Sequence, residues 1–189
     1  KYKLEPYGIP EDKIESVILP ELIFRFWRRL PPALQNAYNP HYFVSNLYEE
    51  SVAKKLKNCD ICVAWAGYGL QTIRRAKQMG AKTLIERGSS HISYQTDILR
   101  EEYDKFGVKR RLAHPKIIEK ELKEYAAADH ISIPSSFVRR TFLEQGVSEN
   151  KLIQVPYGVD LSAFRQMPKE DKIFRVVFAG GISLRKRVH

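Results

Sequence analysis

The residues best suited to chemistry lie in short loops, rich in glycine and serine, that follow apolar segments. Five such loops can be recognised, and they cover residues 67–69, 88–91, 135–136, 157–160 and 180–186. Glycine lets backbone amides approach an anion, and a helix beginning after the loop adds positive potential. In the last loop Arg185 and Lys186 add two full positive charges. The pattern favours an anionic ligand.

Two features of these loops leave alternatives open. His91 closes the second loop, where it is either an ordinary hydrogen-bonded loop histidine or a functional group beside a ligand. Gly67 and Gly69 resemble the start of a dinucleotide fingerprint, but the third glycine and the later acidic residue are missing. Glycine spacing by itself therefore does not predict a dinucleotide site.

The cysteines do not predict a metal site. Cys59 and Cys62 form a single C-x-x-C pair, which is half of a structural zinc site, and no second pair follows. The histidines show no metal-ligand spacing either. We interpret the pair as one core thiol and one thiol at a strand edge, and we expect no metal and no other cofactor.

The composition is that of a folded protein with anionic partners. The 189 residues are 43% hydrophobic and 29% charged, and the net charge is +10. This charge favours nucleic acid, a phosphate-bearing ligand or an anionic membrane surface. Zinc-finger spacing and RNA-recognition motifs are absent, so we expect no nucleic-acid partner, although composition alone leaves a compact nucleic-acid binder open. Neither a secretory leader nor a long apolar run is recognised, which predicts a cytoplasmic protein.

The elements that must position these loops alternate between helix and strand. This alternation predicts an α/β fold, with a doubly wound, Rossmann-like parallel sheet whose ligands bind beyond the carboxyl ends of the strands. Predicted strands cover residues 61–65, 83–86, 130–134, 152–156 and 174–179. Predicted helices cover residues 20–30, 42–57, 94–106 and 115–128, with one more ending before Gly80 and another running from Ser135 or Ser136 to Gly146.

Two of these helices are predicted to be amphipathic. Residues 115–128 would turn Ile118, Leu122, Tyr125 and Ala126 inward and a Glu/Lys-rich face outward. Residues 20–30 would place Ile23, Phe26, Trp27 and Leu30 on one face, close to Arg25, Arg28 and Arg29. That apolar face either packs on the sheet or, with the arginines, docks on an anionic membrane.

The chain is predicted to hold one domain and the beginning of another. Residues 1–160 form the first domain, whose start looks clipped, and residues 161–172 form a polar linker. Residues 173–189 would supply the first strand and phosphate loop of a second domain. We therefore expect the chain to be part of a longer protein.

Three blocks of sequence resemble one enzyme family. They are the stretch from Glu124 to Phe137 (EYAAADHISIPSSF), the stretch from Lys151 to Phe164 (KLIQVPYGVDLSAF) and the stretch from Val177 to Lys186 (VFAGGISLRK). In order and spacing they are similar to the retaining glycosyltransferases of family 4, which have the GT-B fold. The resemblance implies two Rossmann-like domains facing a cleft, with the acceptor mainly on the first and the donor nucleotide sugar mainly on the second.

The resemblance also implies roles for individual residues. Lys186 would contact the donor diphosphate, with Gly180, Gly181 and Arg185 beside it, and His91 would lie near the reacting sugar. The other loop residues would line the acceptor cleft: Gly67, Tyr68, Ser90, Ser135, Tyr157 and Gly158. The sequence departs from the family at Gly181, where many members have arginine, and at Arg187, where nearly all have glycine. The glutamate pair that orients the donor in the family would lie downstream.

The function expected from this resemblance is transfer of a sugar, with retention, from a nucleotide sugar to a polysaccharide or a lipid-linked acceptor such as a glycolipid. Such a transfer needs cations for the departing diphosphate and exclusion of water more than it needs a strong base. The enzyme would be cytoplasmic or peripheral at the inner face of the membrane. The alternative is a non-catalytic acceptor-binding or membrane-docking module of the same fold.

Overall fold

The chain has the predicted α/β architecture. The computed structural model describes residues 9–109, 112–164, 168 and 170–186, without the side chains of Asn36 and Ala163. Four parallel strands, hydrogen-bonded in chain order and flanked by helices, form one sheet: β1 (Ile61–Trp65), β2 (Lys82–Glu86), β3 (His130–Ile133) and β4 (Leu152–Gln154). This arrangement is consistent with a Rossmann-like doubly wound fold. Among these four described strands the order does not reverse.

The helices follow the predicted pattern with small shifts at their ends. They are α1 (Ile18–Trp27), α2 (Pro32–Ala37), α3 (His41–Lys55), α4 (Leu70–Gln78), α5 (Ile92–Lys105), α6 (Pro115–Ala127) and α7 (Ser136–Glu144). Helix α2 was not predicted. Gly80 and Gly146 follow α4 and α7 with positive φ angles of 86° and 80°, which confirms them as C-terminal glycines. Short 3-10 turns cover Glu11–Lys13, Glu149–Lys151, Leu161–Ala163 and Leu184–Lys186.

The described residues divide into two compact units. The first contains the residues up to Ile85 together with Glu119–Asp129, and the second contains Glu86–Ile118 and the residues from His130 onward. In the first unit α3 packs against α1 and α4, and α4 packs against β1. Cys62 is buried there with Ala76 and Ala81, while Cys59 lies at the margin of the same cluster. The interpretation of one core thiol is therefore confirmed for Cys62, and burial raises its pKa, while Cys59 is partly buried just before β1 rather than in a strand.

The second unit is organised around β3. This strand pairs in parallel with β4 in the register Ile131 to Leu152 and Ile133 to Gln154. Ile131, Ile133 and Phe142 of α7 are fully buried. Ser135 caps α7, because its side chain accepts a hydrogen bond from the amide of Val138. The predicted cap is thereby assigned to Ser135 rather than Ser136.

The predicted orientation of α6 is partly wrong. Tyr125 is buried as expected, but Leu122 is 40% exposed and Ala126 faces solvent. The buried positions include Lys120, Glu121 and Glu124, which had been assigned to the solvated face. The reason is that α6 packs partly on polar partners, so hydrogen bonds rather than apolar contacts decide which face is buried.

The expected face of α1 also needs correction at one position. Ile23, Trp27 and Leu30 are partly buried, but Phe26 is 69% exposed, and Phe24 lies partly buried instead. The helix ends at Trp27, before Leu30, so the stripe predicted over a longer helix does not form on one face.

The predicted strand over residues 174–179 is not formed. These residues have no regular secondary structure, and Phe174 is 87% exposed. A strand needs hydrogen-bonding neighbours, and the four strands of the described sheet are formed by other segments. The predicted domain boundaries stay predictions, and Arg187 lies outside the described residues.

Gly69, at the start of α4, tests the packing of the first unit. A Cβ atom on Gly69 would lie 2.8 Å from Cδ1 of Ile85 and 2.9 Å from Cβ of Ala64. The Ile85 methyl can rotate, but the Ala64 methyl is fixed on β1. We expect Gly69→Ala to lower the free energy of unfolding by about 1–3 kcal/mol, as overpacking does, when measured by denaturant titration.

Gly158→Ala is the matched control, because a Cβ at Gly158 would meet nothing within 4 Å. Its denaturation midpoint should equal that of the wild type. Equal midpoints for both variants would contradict the tight contact at Gly69.

Candidate functional site

The loop after β1 holds an anion, and that anion is a protein carboxylate. Oε2 of Glu124 accepts the amide of Gly67 at 2.6 Å, while Oε1 accepts the amides of Gly69 and Leu70 at 2.9 and 3.2 Å. Gly67 has a φ of +87°, a conformation that favours glycine. Glu124 is fully buried. The amides that the sequence offered to an external anion are therefore already satisfied.

A second carboxylate continues this arrangement along α4. Oε2 of Glu49 accepts the amide of Gln71 at 3.0 Å. Gly69, at the helix N-cap, has no side-chain cap of its own. The first amides of α4 are thus satisfied by carboxylates from α6 and α3, which also oppose the positive end of the helix dipole.

One buried cation belongs to the same group. Nζ of Lys120 forms an ion pair with Glu49, and it donates to Ser45 Oγ at 2.9 Å and to Asn46 Oδ1 at 3.1 Å. Glu121, one residue further along α6, accepts the hydroxyl of Tyr125 at 2.8 Å. A buried ammonium needs an opposite charge and hydrogen-bond acceptors, and these contacts supply both. They explain why the Lys120 side chain can be buried.

Glu124 is shifted toward protonation. Burial raises its pKa to about 7, and the charges of Glu49 and Glu121 act in the same direction, while the amides of Gly67 and Gly69 oppose them. Its ionisation therefore falls near neutral pH.

Asp129, at the other end of the same sequence block, fastens α6 to β2. Its carboxylate accepts the amide and the hydroxyl of Thr83, both at 2.8 Å, and pairs with Lys77 at 3.0 Å. Desolvation raises the pKa of Asp129, but the hydrogen bonds from Lys77 and Thr83 outweigh it and lower the pKa to about 2. Glu124 and Asp129 therefore both accept hydrogen bonds from backbone amides of other segments, Glu124 from the loop after β1 and Asp129 from Thr83.

Tyr68, a predicted acceptor-cleft residue, lies on a cavity within the first unit. The cavity has a volume of about 500 Å³ and is largely apolar, with Phe24, Tyr48 and Trp65 among its lining residues. The Tyr68 hydroxyl forms a hydrogen bond of 2.9 Å with Nε2 of His41. Burial lowers the pKa of His41 and raises that of Tyr68, so both side chains are kept neutral.

His91, the candidate catalytic residue, lies in the second unit and is buried, with 2% of its surface exposed. It caps α5, because Nδ1 accepts the amide of Ser93 at 3.3 Å, and its own amide donates to Thr141 Oγ1 at 3.1 Å. The ring packs edge-on against Phe142 at 5.0 Å between centroids. Burial, with a smaller effect of Arg87, lowers the pKa of His91 to about 4, so the imidazole is neutral at pH 7.

The loop that contains Ser90 is joined to the loop that follows β4. The Tyr157 hydroxyl donates to the carbonyl of Gly88 at 3.0 Å. Arg87 Nε donates to the carbonyl of Ser90 at 3.2 Å, and Gln95 accepts from both Arg87 and Ser89 at 3.0 Å. Ser90, Tyr157 and Gly158 therefore lie on two carboxyl-end loops that the structure brings together.

The predicted phosphate loop lies in the same unit. Arg185 and Lys186 are exposed on the 3-10 turn Leu184–Lys186, and this turn contacts α5. Gly180 and Gly181 precede it and are exposed. The structure thus gathers most of the predicted residues in the second unit and places Gly67 and Tyr68 in the first.

The buried charges were the residues that sequence reasoning missed. Glu124 opens the E-x-x-x-A-D block, and it lies four residues after Lys120 on one face of α6. The spacing of four residues between Lys120 and Glu124 can be read from the sequence. Charged residues on a helix usually face solvent, however, so the sequence analysis assigned both side chains to the exposed face.

In the described residues, no three or more His, Cys, Asp or Glu side chains are placed to hold a metal ion, and no helix there has the length and apolar character needed to cross a membrane. No protein-family model, curated protein or solved structure matches this chain.

The buried His91 predicts a pH dependence of stability. Its folded pKa lies below its usual value, so the unfolded chain takes up a proton first as the pH falls, and stability is lost between pH 6.5 and 4. The change from 6.5 to about 4 corresponds to roughly 3 kcal/mol of unfolding free energy. His91→Asn keeps a capping side chain but does not titrate, so it should lack this component.

The measurement is the unfolding free energy by denaturant titration at pH 6.5, 5.5, 4.5 and 4 for both proteins. The difference between their slopes isolates His91 from other titrating groups. Parallel curves would show that the histidine is not held neutral.

Proposed function

We propose that this chain is part of a retaining glycosyltransferase of the GT-B type, which moves a sugar from a nucleotide sugar to a polysaccharide or lipid-linked acceptor. The sequence blocks from Glu124 to Lys186 motivate the proposal, and the parallel sheet is the architecture that such an enzyme requires. The observation that carries it is the junction of two carboxyl-end loops through Tyr157 and Gly88. Ligands of open parallel α/β sheets bind beyond these strand ends.

The chemistry proposed for the donor is electrostatic. Arg185 and Lys186 are exposed cations on a turn that contacts α5. They would stabilise the negative charge that develops on the departing diphosphate. His91 is neutral at pH 7, so near the reacting sugar it would add no positive charge. The donor is a substrate, and we propose no metal or other cofactor.

Lys186 gives the direct test of the proposed donor site. In the protein expressed from its complete gene, Lys186→Ala should lower kcat/KM for sugar transfer about 10²-fold, the scale of one preorganised charge contact. Arg185→Ala should have a smaller effect. The control is Lys172→Ala, which removes an exposed lysine from the predicted linker, outside the proposed donor site. This variant should leave the rate unchanged.

The assay measures nucleotide release and labelled product with a panel of nucleotide sugars and a membrane glycolipid extract. Transfer that is equally fast in Lys186→Ala and Lys172→Ala would remove Lys186 from the donor site. Lack of transfer with every donor and acceptor would count against the transferase itself.

Helix α1 supports a peripheral membrane location. Four apolar side chains along it are exposed: Ile18, Leu19, Leu22 and Phe26. Positions 18, 22 and 26 are spaced by four residues, so they lie on one face. Arg25 and Arg28 pair with Glu21 at 2.8 and 3.4 Å, while Arg29 is exposed without an ion-pair partner in the described chain. An apolar stripe beside arginines suits a helix lying at an anionic lipid interface.

The same helix favours the second candidate function, a non-catalytic module that docks on membranes or binds the acceptor. The two functions share the location proposed here, which is cytoplasmic and peripheral at the inner membrane face. Sugar transfer in the assay with Lys186 distinguishes them.

Membrane docking predicts binding to anionic vesicles that weakens with salt. Each basic residue near such a surface contributes about 1 kcal/mol, so replacing Arg25, Arg28 and Arg29 with glutamine should reduce vesicle binding at least ~10-fold. Phe26→Ser should also reduce it, since the apolar stripe loses its most exposed ring. Vesicle sedimentation with acidic and neutral lipid, at low and high salt, measures the effect.

The control replaces Lys54, Arg74 and Arg75 with glutamine, which removes the same charge from exposed positions on α3 and α4. It should bind nearly as well as the wild type. An equal loss in both triple variants would mean that net charge rather than α1 governs binding, and a protein that stays in solution at low salt would refute docking.

A further inference from the structure

The first unit contains a buried group of charges with an excess of carboxylates. We call Glu49, Lys120, Glu121 and Glu124 the α6 charge cluster, and all four side chains are buried. Glu49 is neutralised by its ion pair with Lys120. Glu124, in contrast, is held by three uncharged amides. With one ammonium for three carboxylates, the cluster carries a net negative charge when every carboxylate is ionised, and burial opposes that state.

The geometry at Glu124 favours the ionised form. Both carboxylate oxygens accept amides, with Gly67 on Oε2 and with Gly69 and Leu70 on Oε1. A protonated carboxyl keeps one carbonyl oxygen, and its hydroxyl group becomes a donor. A hydroxyl hydrogen pointing at an amide N–H would set donor against donor. A hydroxyl oxygen is also a weaker acceptor than a carboxylate oxygen, so proton uptake favours release of the amide on the protonated oxygen.

We propose that Glu124 is a proton-controlled latch, which closes the 67–70 loop onto α6 when it is ionised and releases part of the loop when it takes up a proton. The Gly67 amide is the contact released, because it is the single amide on its oxygen, whereas the other oxygen keeps two. Tyr68 lies between Gly67 and Gly69, so the latch controls a side chain that lines the cavity of the first unit. This inference goes beyond the proposed sugar transfer and does not depend on it.

Several titratable groups surround the latch, and their effects can be separated. Glu49 of α3 and Glu121 of α6 favour the protonated form of Glu124, while Lys120 offsets part of the charge of Glu49. Tyr125 donates to Glu121, and Tyr68 in the loop is bonded to His41 at the start of α3. Burial keeps His41 and Tyr68 neutral around pH 7. Burial raises the pKa of Glu124 to about 7, so this carboxyl titrates within the pH range of the test below.

Amide hydrogen exchange measured by NMR from pH 5.5 to 8.5 tests the latch in the intact wild-type chain. After correction for intrinsic exchange, protection at Gly67 should fall roughly 10-fold as the pH decreases through 7, the effect of losing one buried hydrogen bond. The Thr83 amide is an internal control, because its acceptor Asp129 has a pKa of about 2 and stays ionised throughout. Protection at Thr83 should remain constant.

Two variants complete the test. Glu124→Gln presents one carbonyl oxygen at every pH, so protection at Gly67 should be low and independent of pH. Asp129→Asn should weaken protection at Thr83 and leave the pH dependence at Gly67 intact. If Glu124→Gln does not fold, the wild-type comparison of Gly67 with Thr83 still decides the question. Constant protection at Gly67 across the range, or a parallel change at Thr83, would overturn the proposal.

Discussion

The arrangement of the first unit depends on how the amides at the start of α4 are satisfied. A helix leaves its first amides without partners, and a buried amide without a partner is unfavourable by about 1–3 kcal/mol. Here the N-cap position is Gly69, which has no side chain to supply an acceptor. Carboxylates from two other helices supply it instead, Glu124 from α6 and Glu49 from α3. The loop, α4, α3 and α6 are therefore held by one set of hydrogen bonds.

This constraint explains why charged residues are buried on α6. Glu49 needs a cation, and Lys120 lies four residues before Glu124 on the same helix face, so it reaches Glu49 while Glu124 reaches the loop. The pKa values of Glu124 and Asp129, at the two ends of this block, are shifted in opposite directions. Burial dominates at Glu124 and raises its pKa, whereas Asp129 is more exposed and its bonds to Lys77 and Thr83 lower its pKa.

Loops that look alike in sequence therefore differ in whether they could bind an external anion. The 67–69 loop has glycines suited to an anion, but its amides are already occupied by Glu124. In the second unit, the loops after β2 and β4 are joined through Tyr157, and an exposed cationic turn lies against α5. The exposed cations Arg185 and Lys186 are the groups of the second unit that would suit a phosphate-bearing substrate, and our proposal of donor binding rests on them.

The sequence by itself determined the α/β class, the four strands of the sheet and the glycine ends of α4 and α7, because these depend on local periodicity and turn chemistry. Which face of α6 is buried was decided only by tertiary structure, since the amides that attract Glu124 lie more than 50 residues away in the chain. The segment from residue 174 to 179 shows the converse: its apolar residues favour a strand, but a strand forms only where neighbouring strands complete its hydrogen bonds.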